Sequence, residues 1–277
     1  MAAPVDPRLE PPQPCGFGDC LNLTDILFKV SDAQDAWICS DCIPMVLREK
    51  ARIKDQVYEV GSAPREDLGR PEMEQQEPFH GDPHLQELVR LLIPETVLFV
   101  ETGAGAGDSL KWVAEQYPSL LCWSCEAHGP TYKQAQRYTV ALSNVHILNG
   151  LSTELFTMFE TKMPGLITRR AFFWLDAHSH GFGCTLREEV ATIIRLWRGG
   201  YILIDDFEVV GRPEFAYDLH EDISIGWEFI KSSVDRERFR GLWGPNYKAR
   251  TEDRGWGLLA FGDLVDGAVD RLNNMEF

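Results

Sequence analysis

The chain is predicted to fold as an α/β domain on a seven-stranded, mostly parallel sheet. From His84 onward, apolar runs of strand length alternate with segments of helical period. One of those runs ends in an acid followed by three alternate glycines, Glu101-Thr-Gly103-Ala-Gly105-Ala-Gly107. The last two apolar runs follow each other with only a polar loop between them, as in an antiparallel hairpin.

The elements follow in order. Leu85, Leu88, Val89, Leu91 and Leu92 form the apolar face of a helix that Pro94 ends. A strand is predicted at 97–101, a helix at about 109–117 and a strand at 120–126. A helix at about 131–142, a strand at 145–149 and a helix at about 153–162 come next. A strand at 171–176, a helix at about 185–197 and a strand at 200–205 complete the alternation. Five strands separated by helices imply a parallel sheet covered on both faces. Arg240-Gly-Leu-Trp-Gly-Pro-Asn and Gly255-Trp-Gly-Leu-Leu-Ala-Phe supply the closing pair.

The segment before His84 reads differently. Residues 1–14 are proline-rich with no apolar period, as expected of a flexible tail. Residues 15–47 hold Cys15-x4-Cys20 and Cys39-x2-Cys42, and four thiolates at such spacing suit a structural zinc ion. Free thiols, or a disulfide in an oxidising compartment, are the alternatives. Residues 48–83 are charged and proline-containing, as a helical linker or as a lid over a ligand site. Residues 84–277 carry the main domain.

Composition narrows the function classes. A chain of 277 residues can bury a full core, and its net charge of −16 makes nucleic acid an unsuitable partner. No stretch has the length or apolarity of a membrane span, and the N-terminus lacks the pattern of a signal peptide. The expectation is a soluble cytoplasmic protein with a small-molecule partner; a homo-oligomer is left open.

The glycine turn is the first functional signal. Glycines permit φ > 0 and remove side chains that would hold a ligand off the backbone. The acid at a strand end can accept hydrogen bonds from a ligand's polar groups. A nucleoside-bearing cofactor is expected here.

Glu101-x-Gly103-x-Gly105-x-Gly107, with Glu126 at the end of the second strand, resembles the class I S-adenosylmethionine-dependent methyltransferases over residues 84 to 262. The resemblance implies a Rossmann-like sheet with the cofactor across the strands' carboxyl ends. It implies that Glu101 and Gly103 to Gly107 pack against the methionine and ribose parts. Glu126 would take the ribose hydroxyls, and Asn149 or Ser152 the adenine. A dinucleotide site is the rival reading of the glycines. Asp108 stands at the third position after Gly105, where an acid would repel a pyrophosphate. A sulfonium cofactor avoids that conflict.

The second constellation is Asp176-Ala177-His178-Ser179-His180 with Asp205-Asp206, on two further strand ends. Three converging carboxylates repel one another unless a cation or protons offset them. A divalent cation such as magnesium suits Asp176, Asp205 and Asp206. The arrangement is similar to metal-dependent, macrocin-type O-methyltransferases, in which the metal lowers a substrate hydroxyl's pKa. That implies methyl transfer to a hydroxyl of a sugar or natural product. The pattern departs from Asp-Gly-Asp at Ala177-His178. His178 is therefore read as a general base, a metal ligand or a group orienting Asp176. With His180 and Cys184 nearby, zinc or iron is an alternative. Asp205 could equally cap the following turn. Two other classes stay open: an enzyme that consumes adenosylmethionine without methylating, and a non-catalytic binding protein.

Cys122-Trp-Ser-Cys125 has redox-motif spacing but lies inside a strand, so core or cofactor-wall roles are expected. Asp218, His220, Glu221 and Asp222 are read as a solvated loop, with a pocket wall as the alternative. Trp227, Trp243 and Trp256 are read as core.

Overall fold

The computed structural model describes residues 27–31, 34–39, 76–177, 184–250 and 253–275. The chain divides into two compact units, Met1–Val57 and Tyr58–Phe277. In the first, β1 (Leu27–Ser31) and β2 (Gln34–Cys39) pair as an antiparallel hairpin whose register slips between Lys29 and Ser31. Cys39 ends β2; Cys15, Cys20 and Cys42 lie outside the described residues, and the zinc expectation with them.

The second unit is the predicted α/β domain. Its elements are α1 (Pro83–Leu92), β3 (Leu98–Thr102), α2 (Asp108–Gln116), β4 (Leu121–Glu126), α3 (Gly129–Thr139), β5 (Val145–Asn149) and α4 (Ser152–Lys162). Then come β6 (Arg170–Leu175), α5 (Leu186–Leu196), β7 (Gly199–Ile204), the two-residue strands β8 (Leu219–His220) and β9 (Ile223–Ser224), β10 (Phe239–Trp243), β11 (Gly257–Gly262) and α6 (Ala268–Asn273). Each predicted strand and helix of the alternation is present, with ends displaced by at most three residues, as fraying termini allow.

The seven-stranded sheet runs β10-β11-β7-β6-β3-β4-β5. β7, β6, β3, β4 and β5 are parallel; β11 lies antiparallel between β7 and β10. This is the class I methyltransferase order, an α/β Rossmann-like arrangement with its antiparallel closing pair. The central strands are apolar throughout because both faces are covered. On one face Phe99, Phe172 and Trp174 join the core with Leu85, Leu88 and Val89 of α1 and Leu110 and Val113 of α2. On the other, Trp197 meets Phe156 and Phe159 of α4 and Phe173 of β6 edge-on, with ring centroids 5.0–5.9 Å apart. Trp256 is fully buried, as expected, while Trp243 packs partly buried against the core and Trp227 lies against Phe239.

The order reverses at β3, whose neighbours are β4 and β6. Chains leave β3 and β6 in opposite directions at their carboxyl ends, which opens a crevice between them. β7 is followed by the β8–β9 hairpin and a helical turn at Trp227–Ile230. Among the described residues, no helix is long and apolar enough to cross a membrane.

Candidate functional site

A cavity of about 340 Å³ occupies that crevice. Glu101 and the glycine turn form its floor, Glu126 to His128 one side, and Gly150 to Ser152 the end. Asp176, Asp205, Asp206 and Arg254 close the side beyond β6, and Gln76, Glu77 and His80 come from the segment before α1.

The turn is built as the glycines require. Gly103, Gly105 and Gly107 all have positive φ, at 83°, 51° and 92°. At Gly103 a Cβ would lie 2.9 Å from the Asp176 carbonyl oxygen and 3.2 Å from the Ala177 Cα. The first glycine therefore lets the ends of β3 and β6 touch. The Gly105 amide donates to Glu126 Oε2 at 3.1 Å, and the His128 amide donates to Oε1 at 2.8 Å. Backbone donors thus fix the Glu126 carboxylate beside the turn, with both oxygens oriented by the main chain.

Glu101 is buried and accepts a hydrogen bond from Ser124 Oγ at 2.8 Å. Burial pushes its pKa up to about 8, against the Ser124 bond and with added repulsion from Glu126 and Asp108. Such a neutralised acid beneath a ligand crevice is poised to ionise when a cation arrives.

Asp108 has a role the sequence did not suggest. Its Oδ2 accepts the Gln76 amide at 3.0 Å, and Ser109 Oγ accepts the Phe79 amide at 2.9 Å. These bonds fasten a strap, residues 76–82, along the cavity. Phe79 anchors it: fully buried, the ring meets Trp112 and Trp174 edge-on at 5.6 and 5.3 Å. Of the predicted linker or lid, this part borders the cavity, and residues 48–75 lie outside the described residues. Phe79→Ala is expected to cost about 3–5 kcal/mol. Urea denaturation measures that loss. Hydrogen exchange at the Gln76 and Phe79 amides should accelerate with it.

The strap delivers His80. Phe79 and His80 both have φ above 50°, a conformation that costs non-glycine residues about 1–3 kcal/mol each. His80 Nε2 stands 2.8 Å from Asp205 Oδ2 and 3.8 Å from Asp176 Oδ2. The Asp205 contact raises the His80 pKa, against its burial. Yet the ring's N–H direction is not aligned for a hydrogen bond, and buried Asp205 Oδ2 has no hydrogen-bond partner. Burial, then the neighbouring Asp205 and Glu101, holds Asp176 well above the ordinary carboxyl range.

Among the predicted ligands, Asp176 and Asp205 converge with His80: one donor atom from each lies within 4.8 Å of the others. Asp206 stands apart from that group. It is buried at φ 49° and ion-paired with Arg254, whose Nη2 also reaches Asp218 Oδ1 at 2.6 Å. His178 and His180 lie outside the described residues. Asn149 turns its amide to the Glu126 carbonyl oxygen at 2.9 Å, and Ser152, the other candidate at that end, reaches the cavity wall. Cys125 lines the cavity and Cys122 the core, and burial pushes both thiols up. Glu221 and Asp222 form the exposed β8–β9 turn, as a solvated loop would.

Sequence reasoning missed His80, Arg254, His128 and Thr131. His128 and Thr131 are buried and joined Nδ1 to Oγ1 at 2.7 Å. The one available signal for His80 was Phe79-His80-Gly81-Asp82-Pro83. There an aromatic anchor precedes a glycine, and Asp82 caps α1 by accepting the His84 amide at 2.8 Å.

The strand order and the glycine turn are those of the class I methyltransferase fold. No protein-family model matches the chain, and no curated protein matches it. Similar solved structures include an O-methyltransferase from Bacillus cereus in complex with SAH. It is 16% identical with a TM-score of 0.49, over 82% of this chain and 93% of that one. The O-methyltransferase TomG from Streptomyces achromogenes, in complex with SAM, is 17% identical with a TM-score of 0.48, over 65% and 78%. A precorrin-6y C5,15-methyltransferase from Geobacter metallireducens is 12% identical with a TM-score of 0.45, over 71% and 96%.

Proposed function

We propose that the cavity binds S-adenosylmethionine and that the protein transfers its methyl group to a hydroxyl of a small molecule, a sugar or natural product. The observation that carries this reading is the Glu126 carboxylate, fixed by the Gly105 and His128 amides beside the glycine turn. Two adjacent ribose hydroxyls match such a bidentate acceptor. The remaining charges agree. Glu77, Asp108, Glu126 and Asp205 line the cavity, and buried Glu101 and Asp176 can ionise beside a cation, so a sulfonium fits where a phosphate would be repelled.

Methyl transfer forms a carbon–oxygen bond as the carbon–sulfur bond breaks, and the acceptor's proton must leave. His178 is assigned to accept that proton, with Asp176, two residues earlier at the end of β6, as the acidic group beside the reacting atoms. A divalent cation would fit here, because Asp205 Oδ2 is a buried acceptor without a hydrogen-bond partner. Bound between Asp176 and Asp205, it would lower the acceptor hydroxyl's pKa. The reading keeps Cys15, Cys20, Cys39 and Cys42 as a structural zinc set, and the protein as cytoplasmic.

Calorimetry tests it. S-Adenosylmethionine is expected to bind the full chain, and Glu126→Ala to weaken it about tenfold or more, as expected for two charge-assisted hydrogen bonds. No binding would refute the reading. With methyl-labelled cofactor and candidate hydroxyl acceptors, label should move to the acceptor with S-adenosylhomocysteine as co-product. Release of methylthioadenosine would replace methyl transfer with another use of the cofactor.

A further inference from the structure

We infer that His80 is the third protein ligand of a divalent cation held with Asp176 and Asp205, and that the ion is a first-row transition metal of the manganese or iron(II) kind. The inference deepens the proposed function and rests on its cation.

Asp206, the carboxylate next to Asp205 in the chain, is engaged elsewhere. Arg254 pairs with it and with Asp218, so its charge is already offset. Two acids remain at the strand ends, and the strap brings an imidazole to them. Two ligands about 2.1 Å from one ion and at right angles stand about 3 Å apart. His80 Nε2 lies 2.8 Å from Asp205 Oδ2 and 3.8 Å from Asp176 Oδ2, on either side of that value.

The second observation is the orphaned oxygen. Asp205 is 2% exposed, and Oδ2 has no hydrogen-bond partner although the imidazole nitrogen is within reach. The ring edge faces this oxygen without directing an N–H at it. An imidazole nitrogen, this unsatisfied oxygen and an Asp176 oxygen, all within 4.8 Å of one another, suit a shared cation better than a hydrogen bond. The backbone supports the placement: two consecutive non-glycine residues, Phe79 and His80, are held left-handed to bring the ring there. Such strain persists only where surrounding contacts impose it, here the Phe79 anchor and the two amide bonds to Asp108 and Ser109.

The donor set selects the ion. Magnesium takes oxygen ligands and water, whereas imidazole favours the later first-row metals. One imidazole with two carboxylates lies between these preferences. Three protein ligands leave positions for water and for an acceptor oxygen.

Manganese is the probe, because it is too hard to compete for the cysteine set that would capture cobalt or zinc. Untagged full-length protein, stripped with chelator, is titrated with Mn²⁺ and followed by electron paramagnetic resonance without S-adenosylmethionine. One equivalent should bind and resist an equal concentration of Mg²⁺. The pulsed spectrum should show coupling to one imidazole nitrogen. His80→Asn should remove that coupling and weaken Mn²⁺ about tenfold or more, whereas Asp206→Asn should change affinity less than about threefold. The wild-type nitrogen signal keeps the test decisive even where His80→Asn fails to fold. Absence of Mn²⁺ binding, an oxygen-only spectrum, or equal affinity in folded His80→Asn would each overturn the inference. None of these results depends on cofactor binding or methyl transfer, so failure of the proposed function would register separately, in the calorimetry.

Discussion

Glu101→Gln is expected to stabilise the ligand-free protein at pH 8.5 while leaving it nearly unchanged at pH 4. Burial first, with help from Glu126 and Asp108, moves this carboxyl from its ordinary 4.5 to about 8. The folded protein therefore keeps a proton that the unfolded chain releases. Between those two values the native state binds more protons, so stability falls as pH rises and levels off above about 8. At about 1.4 kcal/mol per pH unit over that interval, the full penalty is on the order of 5 kcal/mol. Glutamine never ionises, and its carbonyl can still accept the Ser124 hydroxyl. The variant should melt roughly 10 °C higher than wild type at pH 8.5. Thermal melts across pH 4 to 9 measure the difference between the two curves. Parallel curves would show that Glu101 ionises at its ordinary pH in the fold. On the proposed reading a sulfonium bound beside this residue favours its carboxylate, so the proton passes to solvent and cofactor binding should shed a proton near pH 7. Calorimetry in buffers of different ionisation enthalpy detects that release.

Gly103→Val should abolish cofactor binding and weaken the fold. The position has φ 83°, where a β-branched side chain is strongly disfavoured. Its Cβ would also meet backbone, the Asp176 carbonyl oxygen at 2.9 Å and the Ala177 Cα at 3.2 Å, and backbone cannot swing aside as a long side chain does. Relief requires β3 and β6 to part at their carboxyl ends. That displaces Asp176 from His80 and Asp205 and opens the cavity floor. A loss of about 2–4 kcal/mol in urea denaturation and at least about a hundredfold in cofactor affinity is expected. Gly129→Ala is the matched control, since Gly129 has ordinary φ and open space within 4 Å of its Cβ position. Wild-type affinity in folded Gly103→Val would show that the turn is not the cofactor's seat.

The sheet was legible because its signals are local. Each central strand is a short apolar run that ends in a polar residue, and each helix shows its own period, so alternation alone gave the architecture. The partnership of Glu126 with the glycine turn could also be read, because both sit at strand ends whose order the fold class fixes. His80 could not. It reaches Asp205 through a strap whose course depends on one buried phenylalanine and two left-handed residues that are not glycines. Neither has a sequence code. Asp206 shows the opposite limit. Next to Asp205 in the chain, it suggested a shared role, but successive residues beyond a strand end need not face one way. Asp206 turned to Arg254, a partner fixed only by the chain's return through the closing pair.

The strap ties two properties to one segment. Its Gln76 and Phe79 amides are held by Asp108 and Ser109, at the start of α2 beside the glycine turn, while the next residue, His80, completes the group on the facing strands. Lifting the strap to admit a molecule along this edge breaks those amide bonds and withdraws the imidazole together. Entry along this edge and an assembled cluster are then mutually exclusive, so a molecule admitted this way would meet all three donors only after the strap had returned. On the proposed reading, mutations along this seven-residue segment should therefore alter substrate admission and chemistry in step.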